Sequence, residues 1–210
     1  ISPNDYLANQ LMAAAALSEA DLETAISLFT ANLAEEQSSL NYNNLSVSHM
    51  LAENYEEALL YSKKAVKLNP SNSLWLLNLA DAEKLLGNTN KAEKHYLEVI
   101  KLGSETDNWS NLRNISQAYA QIGDYLPAIK SLEKAQLMAP ENAEVAFSAA
   151  LVYTLAQEYH SALVQIERAS DMGIGVIWFN LPWFKDLCEF PEYADLMNQV
   201  KTISQCLNKT

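Results

Sequence analysis

The reactive side chains of this 210-residue chain are few in kind: three histidines, two cysteines and 26 carboxylates. His49, His95 and His160 form no His–x3–His or HExxH pair, so their spacing offers no metal site. Cys188 and Cys206 fit no zinc or redox spacing; they read as two inert, partly buried thiols, with a disulfide as the alternative in an oxidising compartment. The chain has no glycine-rich phosphate loop and no GxSxG elbow. The carboxylates fall at helix-surface positions, where a solvated face explains them better than acid–base work. No catalytic residue, metal ligand or cofactor site is therefore nominated, and the chain reads as a non-enzyme. What remains is amide chemistry. Asn44, Asn78 and Asn114 recur at near-constant intervals, with Leu11 before them and Ser148 after. An Asn side chain carries both a donor and an acceptor, so it can pair with a peptide bond whatever side chains flank that bond.

The elements that must position this row are helices. Gly is 5 and Pro is 6, hydrophobic residues are 49% and charged residues 19%, which suits a helical globular chain and argues against disorder. Four segments align, ending at Pro70, Ser104, Pro140 and Ile174. A small residue opens the second half of each copy (Ala58, Ala92, Ala128, Ala162), and seven residues on stands Ala65, Val99, Ala135 or Ala169. The first half holds a large-then-small pair: Leu45-Ser46, Leu79-Ala80, Ile115-Ser116 and Ala149-Ala150. Small residues let two helices approach closely, and large ones fill the space between pairs. Gly87 and Gly123 stand at the turn between helices, where a positive φ is cheap for glycine, and Pro70 and Pro140 stop the second helix. A degenerate copy precedes them, with Ala25 and Phe29 at second-helix spacing and Ser2-Pro3 as the start of its first helix.

The period and its residues resemble the tetratricopeptide repeat, a helix–turn–helix unit of about 34 residues. The third copy matches best, with Tyr119, Gly123, Asp124, Tyr125, Ala128, Ala135 and Pro140 in place; the second has Thr89 where an aromatic is usual, and the first has His49 for Tyr and Glu53 for Gly. The resemblance implies an all-α right-handed superhelix of about five helix pairs, over roughly 3–37, 39–72, 73–106, 109–142 and 143–173. Residues 174–210 break the period and read as a C-terminal helical cap of the same domain, with an amphipathic helix over 191–206 that places Tyr193, Leu196, Met197 and Val200 on one side. The wording LPWFKDLCEFPEYADLM is similar to endings that follow such repeats in bacterial multidomain signalling proteins.

In this family the first helix of each pair lines a concave groove that holds a partner polypeptide, and in some members an asparagine ladder grips peptide main chain. The resemblance thus implies a non-catalytic protein- or peptide-binding scaffold, with Asn44, Asn78 and Asn114 on its groove. Equally, Asn is a common occupant of that position in the family. Arg113 lies one residue before the row, and Asp81, Gln117 and Leu151 three residues after it. Arg113 suits a carboxylate, but with only Lys84 beside it the groove is short of bases for a two-carboxylate clamp. Phe147, Leu151 and Leu155 form one stripe of the last copy. Three readings stand: the tail with Trp178, Phe179, Trp183 and Phe184 covers it, a partner's apolar anchor fills it, or it is ordinary core. An unoccupied stripe also admits a homodimer.

Charge narrows the partners. The net charge is −12, which disfavours nucleic acid. Nine carboxylates precede the first base, Lys63, so the N-terminal third either steers a basic partner or is a solvated acidic surface. No apolar run approaches the ~20 residues of a membrane span. The chain starts at Ile1, so it reads as a processed or excised segment. The alternative function is then the sensory or regulatory part of a bacterial membrane-anchored protein, with a kinase, cyclase or winged-helix regulator upstream; either side of the membrane fits.

Overall fold

A computed structural model describes residues 6–105, 107–197 and 206. Ten α-helices follow one another: α1 (Tyr6–Ser18), α2 (Leu22–Glu35), α3 (Ser39–Leu51), α4 (Tyr55–Leu68), α5 (Ser73–Leu85), α6 (Thr89–Gly103), α7 (Trp109–Gln121), α8 (Tyr125–Met138), α9 (Ala143–Leu155) and α10 (Tyr159–Asp171). They form five antiparallel-type pairs, and the described residues contain no strand. The fold class is the one the resemblance implies, all-α tetratricopeptide-like pairs followed by a C-terminal cap. The chain forms two compact units, Ile1–Glu98 and Val99–Thr210.

Each first helix has 13 residues and ends in the same way, and the last four also begin in the same way. Ser38, Asn72, Asn108 and Asn142 cap α3, α5, α7 and α9, each side chain accepting from an N–H of the first turn. The ends close in a recurring backbone motif. In the turn after α3, Glu53 N–H bonds Met50 C=O at 3.1 Å and Asn54 N–H bonds His49 C=O at 2.9 Å. The same pair of bonds recurs at Ala20/Asp21, Gly87/Asn88, Gly123/Asp124 and Gln157/Glu158. This is the Schellman arrangement, which requires a left-handed residue just past the helix. Gly87 (φ 75°) and Gly123 (φ 85°) hold that place as expected, whereas Ala20, Glu53 and Gln157 occupy it with side chains at φ 60–62°.

The expected small residues are the closest-packed points of both units. Ala25, Ala58, Ala65, Ala92 and Val99 are essentially without exposed surface, as are Ala128, Ala135, Ala162 and Ala169. In the N-terminal unit Ala13, Phe29 and Leu45 join α1, α2 and α3, and Tyr42, Ala65 and Trp75 join α3, α4 and α5. Ser46 adds a directed contact, its hydroxyl donating to Ala58 C=O at 2.8 Å. In the C-terminal unit Ala120, Ala128, Leu132, Ala149 and Val152 join α7, α8 and α9, with Leu155 packed against them.

After α10 the period stops. Two 3-10 turns, Val176–Asn180 and Pro182–Glu189, lead into α11 (Pro191–Met197). The Phe147 ring on α9 lies 5.6 Å from Trp178, 5.8 Å from Phe179 and 6.0 Å from Phe184, centroid to centroid. Phe190 meets Tyr159 of α10 at 5.4 Å, and the Tyr193 hydroxyl donates to Phe179 C=O. Tyr193 and Met197 of α11 are buried and Leu196 half-buried; Val200, like the expected Ser2-Pro3 start, lies outside the described residues. The cysteines correct an expectation. Cys188 and Cys206 are not inert thiols but a disulfide, with Cα atoms 5.3 Å apart and positions 18 apart in sequence. No cysteine motif announces the pairing.

Two outcomes follow. Replacing Glu53 or Gln157 by Gly relieves a left-handed side chain, which costs about 1–2 kcal/mol, against a glycine entropy term of about 0.5–1 kcal/mol; each variant should unfold at a higher temperature than the parent, and Gly123→Ala at a lower one. Deleting residues 174–210 uncovers Phe147 and Leu151. The truncated chain should aggregate or bind a hydrophobic dye; a monomeric, dye-free product contradicts the capping role.

Candidate peptide-binding face

Within the N-terminal unit the first helices α1, α3 and α5 present a connected set of amides. Tyr6 OH and Gln10 Nε2 both donate to Asn41 Oδ1 at 3.1 Å. Asn44 Nδ2 donates to Gln10 Oε1 at 3.2 Å, joining residues 34 apart in sequence. Asn78 Nδ2 donates to Asn43 Oδ1 at 2.8 Å, across 35 residues. Asn44 and Asn78 are half-buried, each giving one N–H to a side chain on the preceding first helix. Asn44 and Asn78 are thus each tied to the copy before them. Asn43 stands at the groove position one residue before the row, as the sequence places it; Gln10 was not singled out by sequence, although it stands one period before a row member, which is the signal that finds it.

Next to Asn78, α5 carries two buried carboxyl groups that α6 answers. Asp81 Oδ1 accepts from Tyr96 OH at 2.6 Å, and Glu83 Oε2, on a side chain 2% exposed, lies 2.7 Å from His95 Nδ1. Burial pushes the Asp81 carboxyl up from 3.8 to about 6; the Tyr96 hydrogen bond and the Lys84 charge oppose this without cancelling it. Burial likewise lowers Lys84, which Asp81 partly restores, and raises Tyr96 well above its usual value. His49 is lowered by its burial, with Glu57 opposing.

In the C-terminal unit the corresponding positions lie on α7 and α9. Asn114 is buried, 1% exposed, unlike Asn44 and Asn78. Arg113 is buried too; its Nη1 lies 2.9 Å from Glu144 Oε2, and burial lowers the guanidinium below its usual value while Glu144 opposes. Gln117 Nε2 donates to Ser148 Oγ at 2.5 Å, and Ser148 in turn donates to Glu144 C=O at 2.8 Å. Of the expected apolar stripe, Leu151 is buried, Leu155 belongs to the α7–α9 core, and Phe147 is covered by the tail. That stripe is thus occupied by the chain itself. No group of three or more possible metal ligands occurs among the described residues, and no helix among them is long and apolar enough to cross a membrane.

Asp81 gives the face a pH signature with a definite sign. Its folded-state pKa is raised, so between about 4 and 6 the folded chain holds a proton that the unfolded chain has released, and stability falls as pH rises through that window. Asp81→Asn removes this titration while keeping an acceptor for Tyr96. The variant should gain about 2–3 kcal/mol over the parent above pH 7, from two pKa units at about 1.4 kcal/mol each. Thermal unfolding from pH 4 to 8 checks both slope and offset.

The comparisons agree with this geometry. The tetratricopeptide-repeat family model matches residues 41–72, 76–103 and 114–142. Among solved structures, TTC0263, a thermophilic TPR protein in Thermus thermophilus, is 17% identical with a TM-score of 0.60, covering 92% of this chain and 99% of that one. A chain of the APC/C hetero-tetramer Cut9-Hcn1 is 21% identical with a TM-score of 0.55, covering 96% of this chain and 37% of that one. At these identities the likeness is one of fold. Sequence comparison with curated proteins returned no match. The repeated capped helices, the recurring small contacts and the three matched copies identify residues 41–72, 76–103 and 114–142 as tetratricopeptide repeats.

Proposed function

We propose that this chain is a non-catalytic scaffold that recognises an extended segment of another polypeptide through the face formed by its first helices. Tetratricopeptide arrays are in general protein–protein interaction scaffolds. The observation that supports the finer reading is the lateral amide bonding of Gln10–Asn44 and Asn43–Asn78. Each bond fixes the rotamer of a half-buried Asn and leaves its Oδ1 and second N–H to meet a peptide bond. Fixing the side chain beforehand removes an entropy cost that binding would otherwise carry. Asn114 is buried, so Asn44 and Asn78 carry this reading.

In the N-terminal unit Asp81 stands three residues after Asn78 on α5, and in the C-terminal unit Arg113 and Gln117 stand beside Asn114 on α7. Glu144, whose side chain is 57% exposed, answers the buried Arg113, so an acidic side chain of a partner has a place to compete for. Affinity in such an interface concentrates in a few contacts rather than in total area.

The test begins with peptides selected from a displayed library against the full chain. Asn44→Ala with Asn78→Ala should weaken a selected peptide tenfold or more, at about 1 kcal/mol per lost hydrogen bond. N-methylation of the peptide backbone should do the same, while changes to its side chains matter less. Unchanged affinity in the double variant reduces the row to an internal structural feature.

A further inference from the structure

Arg113 on α7 is paired in an unbalanced way. Its side chain is 7% exposed, whereas that of Glu144, whose Oε2 lies 2.9 Å from Arg113 Nη1, is 57% exposed. A buried ion pair is well matched when both charges leave water together in good geometry. Here only the cation has done so. Glu144 meets the guanidinium at Nη1, while the buried Nε–H finds no acceptor among the described residues. An unanswered buried donor is costly, and a guanidinium fork suits a carboxylate that can turn to make two parallel bonds. The surroundings are firm. Gln117 Nε2 of α7 donates to Ser148 Oγ of α9, and Ser148 Oγ donates to Glu144 C=O, so polar bonds hold the two helices together beside the pair while the Glu144 carboxylate stands at the surface. Glu144 lies in the first turn of α9, where the helix dipole favours a carboxylate whether or not it touches Arg113. The ion pair of Arg168 with Glu141 is of another kind, with side chains 37% and 84% exposed at 3.4 Å.

We propose that Glu144 is an internal competitor on the first-helix face of the C-terminal unit, holding on Arg113 the place of a carboxylate carried by the partner polypeptide. Binding is then an exchange. The partner's carboxylate takes the guanidinium, and Glu144 turns out to water beside the helix N-terminus. The buried cation keeps a counter-charge before and after, which matters because an uncompensated buried charge is strongly destabilising. A segment without a carboxylate has nothing to exchange, so the contact selects for acidic partners as well as restraining them. The chemistry is that of a carboxylate, from an Asp or Glu side chain or from a chain terminus. The inference rests on the reading of the first helices as a peptide-binding face, and names a partner class and a restraint for it.

The probe is an alanine pentapeptide with a central glutamate and both ends blocked, added to the full chain labelled with nitrogen-15. It should shift the Arg113 Nε–H resonance, and should bind Glu144→Gln about fivefold more tightly than the parent. The same peptide with glutamine at its centre should leave that resonance in place. Glu141→Gln removes a charge three residues away and should leave the affinity unchanged, which separates exchange from a general loss of negative charge. A gain on Glu144→Gln by an all-alanine peptide with a free C-terminus supports exchange with a terminal carboxylate; a gain confined to the glutamate peptide supports a side chain. Equal affinity of Glu144→Gln and the parent, an equal gain from Glu141→Gln, or an unmoved Arg113 resonance overturns the proposal. If selected peptides still weaken on Asn44→Ala with Asn78→Ala, the amide-row reading survives that failure. A fivefold gain on Glu144→Gln with no effect of the double variant sinks the amide row alone.

Discussion

Close approach of helix backbones at a handful of alanines is the constraint on which this molecule depends. Ala58, Ala92, Ala128 and Ala162 have no room for a further carbon, since each is at most 1% exposed and faces another helix. Larger side chains there would push the pairs apart and cost roughly 1–3 kcal/mol each through overpacking. With the backbones that close, the bulky residues have only one place to go, the seam between successive pairs. Phe29, Trp75 and Leu132 lie there. The pattern of small and large is therefore a single steric statement repeated, and the amphipathicity of the individual helices is secondary to it.

The same closeness explains why so much polarity is tolerated inside. Asn41, Asn43, Ser46, Asp81, Glu83 and Arg113 are buried, yet each meets a defined partner on a neighbouring element or turn. Buried polar groups are costly when unmatched and specific when matched. Asp81 shows the balance: a 2.6 Å bond from Tyr96 and the charge of Lys84 do not fully offset the loss of water around its carboxyl. The polar contacts fix which register the helices adopt, a choice that alanine and leucine alone leave loosely defined.

Most of the fold was legible because its signal is repeated. Ala128 at one position is weak information; Ala58, Ala92, Ala128 and Ala162 together are strong. The amide row was legible for the same reason, as positions, but not as bonds, since the partners Gln10 and Asn43 lie at neighbouring offsets. Ser38, Asn72, Asn108 and Asn142 also recur with the period and were open to the same reading as caps. The tail was harder. Trp178, Phe179 and Phe184 announce burial without saying against what, and the Cys188–Cys206 bond lies where no repeat exists to announce it. Gln157 hid its turn behind a side chain that ordinarily avoids a left-handed backbone, whereas Glu53 stood where the repeat usually has glycine.

The Schellman closures have a wider implication for how such a chain diversifies. They reverse its direction with main-chain hydrogen bonds alone, so the residues facing outward from α1, α3 and α5 have no share in making the hairpins. A lineage can therefore rewrite those outward letters, swapping amide for acid or aromatic, while the scaffold that displays them keeps its shape.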